Sequence, residues 1–442
     1  MNELARRIET NRMRHGKRNP EGFLYVAVLF TSLVVMVAVA TALSISTMTV
    51  RSENVRSGQS VAVWIAESEV QRQLAMVSSD AAWRDSHTHQ VFADWHPLTF
   101  DGISVSEDAS VRHMFSDPDG DLSDDDFDSV LLTVHARVGT SHAAVSVELV
   151  PDPIPLRLLD YAITASDDIR FEDGGAAVAE RNVQVTDNCQ TNSWGMMTTP
   201  QLECSGSVQM FLRGQLRSAS VELPTRDVVQ RYIDLGTEIP INSIPRSNGN
   251  LVFDNTLLTA NVNPFGATDS AGIYWIDAGG QRLVIANSRI EATLAVTNCA
   301  TVEINGGVVW HYPTTPDVVL ATNTFVLFDE IATELNEADS SVNFNPVTAP
   351  FRDVANATTD DVYATELRGI VYSTGNLQLT QLPNNEPLSM AGSIIARDLR
   401  FDGRISIRSL NEVQQFPPPG LSDPTPMRLL RGSYRRIPTP DG

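Results

Sequence analysis

The longest hydrophobic stretch of the chain runs from Gly22 to Val50 and contains no charged residue. A helix of about 20 apolar residues spans the hydrocarbon core of a bilayer, so this stretch is long enough to cross a membrane. The residues before it carry six basic side chains against three acidic ones. Because an excess of Lys and Arg marks the cytoplasmic end of such a helix, the pattern predicts a single-pass membrane protein with a cytoplasmic N-terminus and its body across the membrane. A buried core helix of a soluble protein is the alternative.

Apolar residues continue at helical spacing beyond this stretch, as far as Val77. Ala62, Ala66 and Val70 recur every four residues, and charged or amide side chains occupy the other faces. The spacing predicts that one helix leaves the membrane and becomes amphipathic, so that residues 23–80 form a transmembrane and amphipathic helix. Gly58 lies in the second part of this helix. We expect a bend there, because glycine weakens a helix.

Residues 81–155 alternate between strand-like and turn-like stretches. Alternating apolar residues predict strands over Phe100–Val105, Val130–Val138 and Ala143–Val150. With the amphipathic helix, these strands make a small α+β head. Prolines at every second position of Pro151–Pro155 break the chain, and this break predicts a domain boundary.

Residues 156–413 contain short β-segments that recur about every 20 residues. Three similarities carry the pattern: Leu283–Ile285 with Val302–Ile304, Gly369–Leu379 with Gly392–Phe401, and Ile163–Phe171 with Ile394–Phe401. Such repeats are typical of a right-handed parallel β-helix, or β-solenoid, whose coils stack on one another. A β-sandwich of irregular hairpins is the alternative. We expect a helical insertion near 224–235, and a Pro/Arg-rich tail at 414–442 that lies over the solenoid or hangs free.

The residues just before the hydrophobic stretch form a distinctive leader. A short basic segment ends in Gly22, the aromatic Phe23 follows at once, and the long apolar helix then begins. In this arrangement the chain resembles the superfamily of type IV pilins and type II secretion pseudopilins. The resemblance implies that residues 1–22 are a cytoplasmic leader, that a prepilin peptidase cleaves after Gly22, and that Phe23 becomes N-methylated. A rival interpretation takes Ala40-Thr41-Ala42 as a signal-peptidase site that releases a soluble protein.

One position departs from the family pattern. Most major subunits carry Glu at the fifth residue of the mature chain, where this chain has Ala27. The departure favours a minor, initiating or accessory subunit. The resemblance then implies an inner-membrane protein with a periplasmic or extracellular body, which assembles with other pilin or pseudopilin subunits of a type IV pilus or type II secretion apparatus.

The predicted fold class is α+β: a long N-terminal transmembrane helix, a small pilin-like head, and then a mainly β region. The predicted role is structural rather than enzymatic, with a polysaccharide or a protein as the ligand of the solenoid face. The alternative is a membrane-anchored carbohydrate-binding adhesin or a polysaccharide-processing β-helix protein. In that case Trp194 would stack on sugars, and carboxylates such as Asp168 and Asp398 would do the chemistry.

The composition of the chain argues against several classes of partner and site. The net charge is −22, and such a surface repels phosphate backbones, so nucleic acid is not an expected partner. Lys17, in the leader, is the only lysine. A phosphate-binding loop of the GK[ST] type and a Schiff-base lysine in the body are therefore excluded.

A second acidic feature lies between the predicted strands of the head. Asp117, Asp119 and Asp121 stand at every second position, as the ligands of calcium loops do. However, Leu122 and Asp128 replace the Gly and Glu that a helix–loop–helix calcium loop requires. We therefore expect a solvated acidic turn and no cofactor, and a calcium site at this loop is the alternative.

Two further groups of residues have the chemistry of sites. His87 and His89 form an HxH pair that could bind a metal ion, with His96 nearby in sequence. Cys189 and Cys204 would close a short disulfide loop in an oxidising compartment. Cys299 has no partner nearby in sequence, and its context predicts a small buried residue in a strand.

Overall fold

The computed structural model describes residues 20–80, 82–97, 99–100, 103–104, 108–123, 125–192, 194–218, 224, 227–315, 317–380, 386–423 and 425–438. The chain divides into two compact units. The head unit comprises Met1–Pro151 and Met427–Gly442, and the β-array unit comprises Asp152–Pro426. A long apolar helix followed by a mainly β body is confirmed.

Helix α1 extends without interruption from Pro20 to Val77, over 58 residues. Its N-terminal half exposes apolar side chains, and its C-terminal half buries one face against a sheet. At Gly58 an added Cβ would lie only 2.5 Å from the Oγ of Ser141. This glycine therefore gives a strand room to approach the helix, a role that the sequence prediction of a bend did not include.

The sheet of the head unit is antiparallel, with the strand order β3-β4-β5. The elements before the array are the helix α2 (Trp83–Ser86) and the strands β1 (Thr99–Phe100), β2 (Ile103–Ser104), β3 (Ala109–Ser116), β4 (Val130–Val138) and β5 (Ser141–Pro151). The two predicted strands that correspond to β4 and β5 are confirmed. The predicted strand Phe100–Val105 is instead the short hairpin β1–β2 where it is described, and β3 was not predicted.

The C-terminal tail differs from the expectation for residues 414–442. Its strands Met427–Leu429 and Arg435–Ile437 both pair antiparallel with β5 and so complete a five-stranded sheet in the head unit. The edge of β5 that β4 leaves free would otherwise expose unpaired backbone groups, and the tail satisfies them. The prediction that this whole tail lies over the solenoid or hangs free was wrong for these residues.

The β-array unit is built around one sheet of 23 described strands, which pair in parallel almost throughout. In chain order the strands are Tyr161–Ala165, Ile169–Phe171, Ala176–Ala179, Asn182–Val185, Cys189–Thr191, Met196–Cys204, Val208–Gln209, Phe211–Arg217, Thr237–Glu238, Arg246–Ser247, Asn250–Asp254, Leu257–Thr259, Ile273–Asp277, Leu283–Glu291, Thr293–Thr297, Thr301–His311, Val318–Thr322, Phe325–Ile331, Glu366–Ser373, Leu377–Leu379, Leu388–Ala396, Leu399–Phe401 and Arg404–Arg408. Each strand pairs mainly with strands about one repeat away, so the array consists of stacked layers.

Smaller elements of this unit lie outside the sheet. They are the short strand pairs Ile154–Pro155 with Ser422–Asp423 and Glu334–Asn336 with Val362–Ala364, the 3-10 turns Arg157–Asp160 and Ile241–Ser243, and the helices α3 (Val228–Leu235), α4 (Glu337–Ser340) and α5 (Glu412–Gln415). Helix α3 is the predicted insertion. Its N-cap is Asp227, whose carboxylate accepts a hydrogen bond from the backbone N–H of Gln230.

The chain enters the array in its middle. Tyr161–Ala165 pairs in parallel with Asn182–Val185 on one side and with Leu388–Ala396, more than 200 residues later, on the other. The first layers therefore extend one end of the stack. After α3, the chain continues from the layers around Asn250–Asp254 back towards the first layer. One continuous stack is thus made from two separate parts of the sequence.

The three sequence similarities correspond to neighbouring layers. Gly369 pairs with Gly392, and Leu379 pairs with Phe401. Phe401 in turn pairs with Phe171, and their stacked rings lie 5.4 Å apart between centroids. The apolar side chains of successive layers thereby form one continuous core, which is the main source of stability for such an array.

We expect Gly392→Ala to destabilise the array strongly. Its φ of +142° disfavours any side chain, and an added Cβ would overlap the carbonyl oxygen of Gly369 in the next layer. Strain and overpacking together predict a loss of about 3 kcal/mol or more in the free energy of unfolding. The matched control is Gly280→Ala, at φ +77° with no atom within 4 Å of the added Cβ, which should cost only about 1 kcal/mol. Equal shifts of the two urea midpoints would contradict the close layer contact.

Candidate functional site

The N-terminal half of α1 is one candidate functional surface. Among the described residues, this helix alone is long and apolar enough to cross a membrane by length and composition. None of its most apolar window is buried, and exposed side chains such as Phe30, Leu33 and Met36 cover it. The side chains of Phe23 and Ala27, the surroundings of Gly22 and the leader up to residue 19 lie outside the described part of the structure, so the predicted cleavage site stays a prediction.

The C-terminal half of α1 packs on strands β3, β4 and β5. Ile65, Ala66 and Val70 are buried there against Leu132, Val145 and their neighbours. The small side chain of Ala66 lets the helix approach the sheet closely. Ala66 and Val70 lie on the face that the four-residue spacing predicted. This contact holds the sheet of the head unit to the helix that carries the exposed apolar surface.

A buried polar cluster lies in this helix–sheet contact and centres on Glu69. Arg72 donates two hydrogen bonds to the Glu69 carboxylate, at 2.7 and 2.6 Å, and the Gln73 amide donates a third at 2.6 Å. The same carboxylate oxygen, Oε1, lies 3.5 Å from Nε2 of His96 and 3.3 Å from Nδ1 of His113. Glu69 has no solvent exposure, so these groups replace its water shell.

The electrostatics of Glu69 follow from this arrangement. Burial raises the pKa of a carboxyl group, but hydrogen bonds from His113, Arg72 and Gln73 outweigh burial and lower the pKa of Glu69 to about 2. The side chain is therefore an anion at neutral pH.

Sequence reasoning missed this cluster because its members lie far apart along the chain. His113 is in β3, and His96 precedes the sheet in a segment that pairs with Val111 at the edge of β3. The available signal was Glu69 itself, a charged residue on the otherwise apolar face of the helix. The HxH pair does not belong to this cluster: His87 contacts the carbonyl oxygen of Trp83, and His89 accepts a hydrogen bond from the Asp117 backbone N–H. Metal binding by the HxH pair stays a prediction.

The predicted acidic loop brings together a different set of carboxylates. Ligand atoms of Asp117, Asp119 and Asp128 lie within 4.8 Å of one another. The Asp121 carboxylate instead accepts hydrogen bonds from the backbone N–H and the hydroxyl of Ser123. Burial and the neighbouring Asp119 raise the pKa of Asp117 to about 6.

A buried guanidinium lies beside this loop. Arg84 donates hydrogen bonds to the carbonyl oxygens of Leu122, Asp126 and Asp128, and its Nη1 lies 3.5 Å from the Asp117 carboxylate. The arginine thus supplies part of the positive charge that a calcium ion would supply. Calcium binding by the loop stays a prediction.

The two cysteines proposed for a disulfide lie at one corner of the array. Cys189 and Cys204 are buried free thiols within hydrogen-bonding distance of each other. Their hydrogen bond lowers the pKa of Cys204 and raises that of Cys189. The disulfide itself stays a prediction. Cys299 is partly buried, and its thiol donates to the carbonyl oxygens of Gln281 and Thr301.

The residues considered for sugar chemistry take different positions in the array. Trp194 is 76% exposed, and its ring is parallel to that of exposed Phe211, at 5.9 Å between centroids. Asp168 accepts hydrogen bonds from Asn188, and Asp398 accepts one from the backbone N–H of Asp168. These carboxylates therefore satisfy turn backbones between layers.

Comparisons with known proteins leave the family open. No protein-family model and no curated protein match the sequence. Among solved structures, the crystal structure of the competence-associated pilin ComZ from Thermus thermophilus matches with 12% identity and a TM-score of 0.30. The match covers 86% of this chain and 98% of that chain. A TM-score this low does not establish a shared fold, so the function has to be inferred from the residues of this chain.

We expect Glu69→Gln to destabilise the head unit and to reduce its sensitivity to acid. The folded head lowers the pKa of Glu69 from 4.5 to about 2, so the ionised form stabilises the fold above pH 4.5. This contribution is lost as the pH falls towards about 2. Removing the charge weakens the hydrogen bonds that the buried carboxylate accepts, and should cost about 2 kcal/mol at neutral pH.

Amide hydrogen exchange in β3–β5, measured in urea from about pH 2 to pH 7, tests this expectation. The matched control is Glu53→Gln, an exposed glutamate on the same helix, which should leave the pH profile unchanged. A Glu69→Gln variant that keeps the wild-type acid dependence would contradict the assignment.

Proposed function

We propose that this protein is a membrane-anchored structural protein that takes part in assembly, as a minor pilin or pseudopilin of a type IV pilus or type II secretion apparatus. The observation that carries the proposal is the single 58-residue helix α1. One half of α1 is apolar and exposed, and the other half packs against the sheet of a small head. A helix of this kind can lie in a bilayer and later pack against equivalent helices of other subunits without changing its own fold.

The exposed side chains determine what stabilises the helix in the bilayer and in a filament. In the bilayer, the apolar surface from Val28 to Val50 is solvated by lipid, and every backbone group is satisfied within the helix. In a filament, helices of neighbouring subunits would cover the same surface. Ala27 lacks the carboxylate typical of major subunits, which supports a minor or initiating position.

The topology of the proposal places the leader in the cytoplasm, and the sheet of the head unit and the β-array unit across the inner membrane. The basic residues before Gly22 support this orientation through the positive-inside rule. A prepilin peptidase would act at Gly22–Phe23. We further propose that the parallel array is a right-handed β-helix, whose layered surface presents a ligand-binding face beyond the membrane.

Co-expression with a prepilin peptidase tests the proposal. We expect cleavage after Gly22 and a mature N-terminus of N-methyl-Phe23, detected by mass spectrometry of the purified protein. Gly22→Val should abolish cleavage, because a β-branched side chain adjoins the scissile bond, and should leave the membrane-bound precursor intact.

A matched control separates this cleavage from signal-peptidase processing. Ala42→Leu keeps the helix apolar but blocks a signal-peptidase site at Ala40-Thr41-Ala42. The proposal expects normal processing in this variant. An intact Met1 in the presence of the peptidase, or a mature chain that begins at Leu43, would overturn the pilin-like assignment.

A second candidate function, carbohydrate binding by the array, is supported by the parallel exposed rings of Trp194 and Phe211. Val178, Met196 and Ile405 adjoin the rings in the same surface depression. These exposed aromatic and apolar side chains provide an apolar platform of the kind that stacks on sugar rings, since Trp194 remains 76% exposed beside Phe211.

We expect Trp194→Ala to weaken retention on immobilised polysaccharide by about tenfold or more, because it removes the larger ring of the platform. Affinity electrophoresis through gels that contain bacterial or plant polysaccharides measures this effect. Trp64→Ala, at an exposed tryptophan of α1, is the control and should leave migration unchanged. Wild-type protein that passes every such gel unretarded would exclude this second function for those polysaccharides.

A further inference from the structure

Three side chains of the head unit converge in the geometry of a metal site. Glu69 projects from α1, His113 from β3, and His96 from the segment that pairs with the edge of β3. Their ligand atoms lie within 4.8 Å of one another. Two of the separations, 3.5 Å for Glu69–His96 and 3.3 Å for Glu69–His113, match the distance of about 3.3 Å between neighbouring ligand atoms around a tetrahedral Zn²⁺.

The surroundings of His96 prepare its ring to bind a metal. Its Nδ1 lies 3.1 Å from the carbonyl oxygen of Asp94, to which a protonated Nδ1 donates. This hydrogen bond leaves the lone pair of Nε2 available to accept from Arg72 or to bind an ion. Metal-binding histidines are held in the same way, with the second ring nitrogen donating to a carbonyl or carboxylate.

A fourth group is available in the same place. Gln73 is only 2% exposed, and within the part of the chain that the structure describes its Oε1 is buried and accepts no hydrogen bond. Its Nε2 lies 3.2 Å from Nδ1 of His113 and 2.6 Å from Glu69. A half-turn of the amide would exchange the two atoms and direct the orphaned oxygen towards the ion.

The guanidinium of Arg72 occupies the position that an ion would take. Its Nη2 lies 2.6 Å from Glu69 Oε1 and 3.0 Å from His96 Nε2. The side chain is about half exposed, so Nη2 can withdraw to solvent while Nε keeps its bond to the other carboxylate oxygen, Oε2.

We infer that Glu69, His96 and His113 form a Zn²⁺ site in the head unit, with Gln73 or water as the fourth ligand, and that Arg72 closes the site when no ion is bound. Imidazole nitrogens with one carboxylate suit Zn²⁺ better than calcium, which prefers oxygen ligands alone. Bound zinc would tie the segment around His96 to the helix. The competing explanation is a polar network that stabilises the head without any ion.

Titration of the full chain in detergent with Zn²⁺ against a chromophoric chelator tests the inference. We expect one zinc ion per chain, and tetrahedral d–d absorption when Co²⁺ replaces it. His96→Ala and His113→Ala should each weaken zinc binding by about 100-fold or more, because each removes a direct ligand. His142→Ala, an exposed histidine of the same unit, is the matched control and should bind as the wild type does.

Two further measurements test the zinc site even if one of these variants folds poorly. Zinc should raise the melting temperature of the wild type and of His142→Ala but not that of His96→Ala. Arg72→Gln should bind zinc several-fold more tightly, because the competing cation is gone. Zinc binding that His96→Ala and His113→Ala leave unchanged, or a wild type that binds no zinc, would overturn the site. Unchanged or weaker binding by Arg72→Gln would contradict the role of Arg72.

Discussion

The head unit depends on the contact between the C-terminal half of α1 and its antiparallel sheet. One continuous helix serves two environments. Its first half is mostly apolar and carries no charge from Gly22 to Val50, and its second half presents small and branched residues on a single face. Ile65, Ala66 and Val70 bury that face, and the contact keeps the exposed apolar half attached to a folded structure. Assembly and anchoring, as proposed for this protein, both rely on that attachment.

The same contact encloses an ionised carboxylate. Burying Glu69 without partners would cost several kcal/mol. The helix therefore supplies Arg72 and Gln73, and strand β3 and the segment at its edge each supply one imidazole. A similar arrangement recurs at the acidic loop, where the buried Arg84 lies among carboxylates and carbonyl oxygens. In both places an arginine balances the negative charge of a group of side chains that could hold a metal ion.

The β-array depends on a different constraint, the pairing of similar residues between neighbouring layers. Parallel layers leave an edge at each end, and the chain enters in the middle of the stack rather than at one end. The similarity between Ile163–Phe171 and Ile394–Phe401 indicated this in the sequence, since similar residues in register are what stacked layers require. The similarity did not reveal the order in which the chain forms the layers, because local repeats are the same whichever layer comes first.

The sequence by itself determined the long helix, the strands β4 and β5, the helical insertion and the repeats that stack in register, because each depends on local periodicity. Only the tertiary structure decided which residues meet. Glu69, His96 and His113 converge through strand pairing at the edge of β3, Asp128 replaces Asp121 beside Asp117, and the tail joins the sheet of the head through the free edge of β5. These contacts join residues far apart in the sequence, and the free energy that selects them comes from pairing and burial, which no local pattern records.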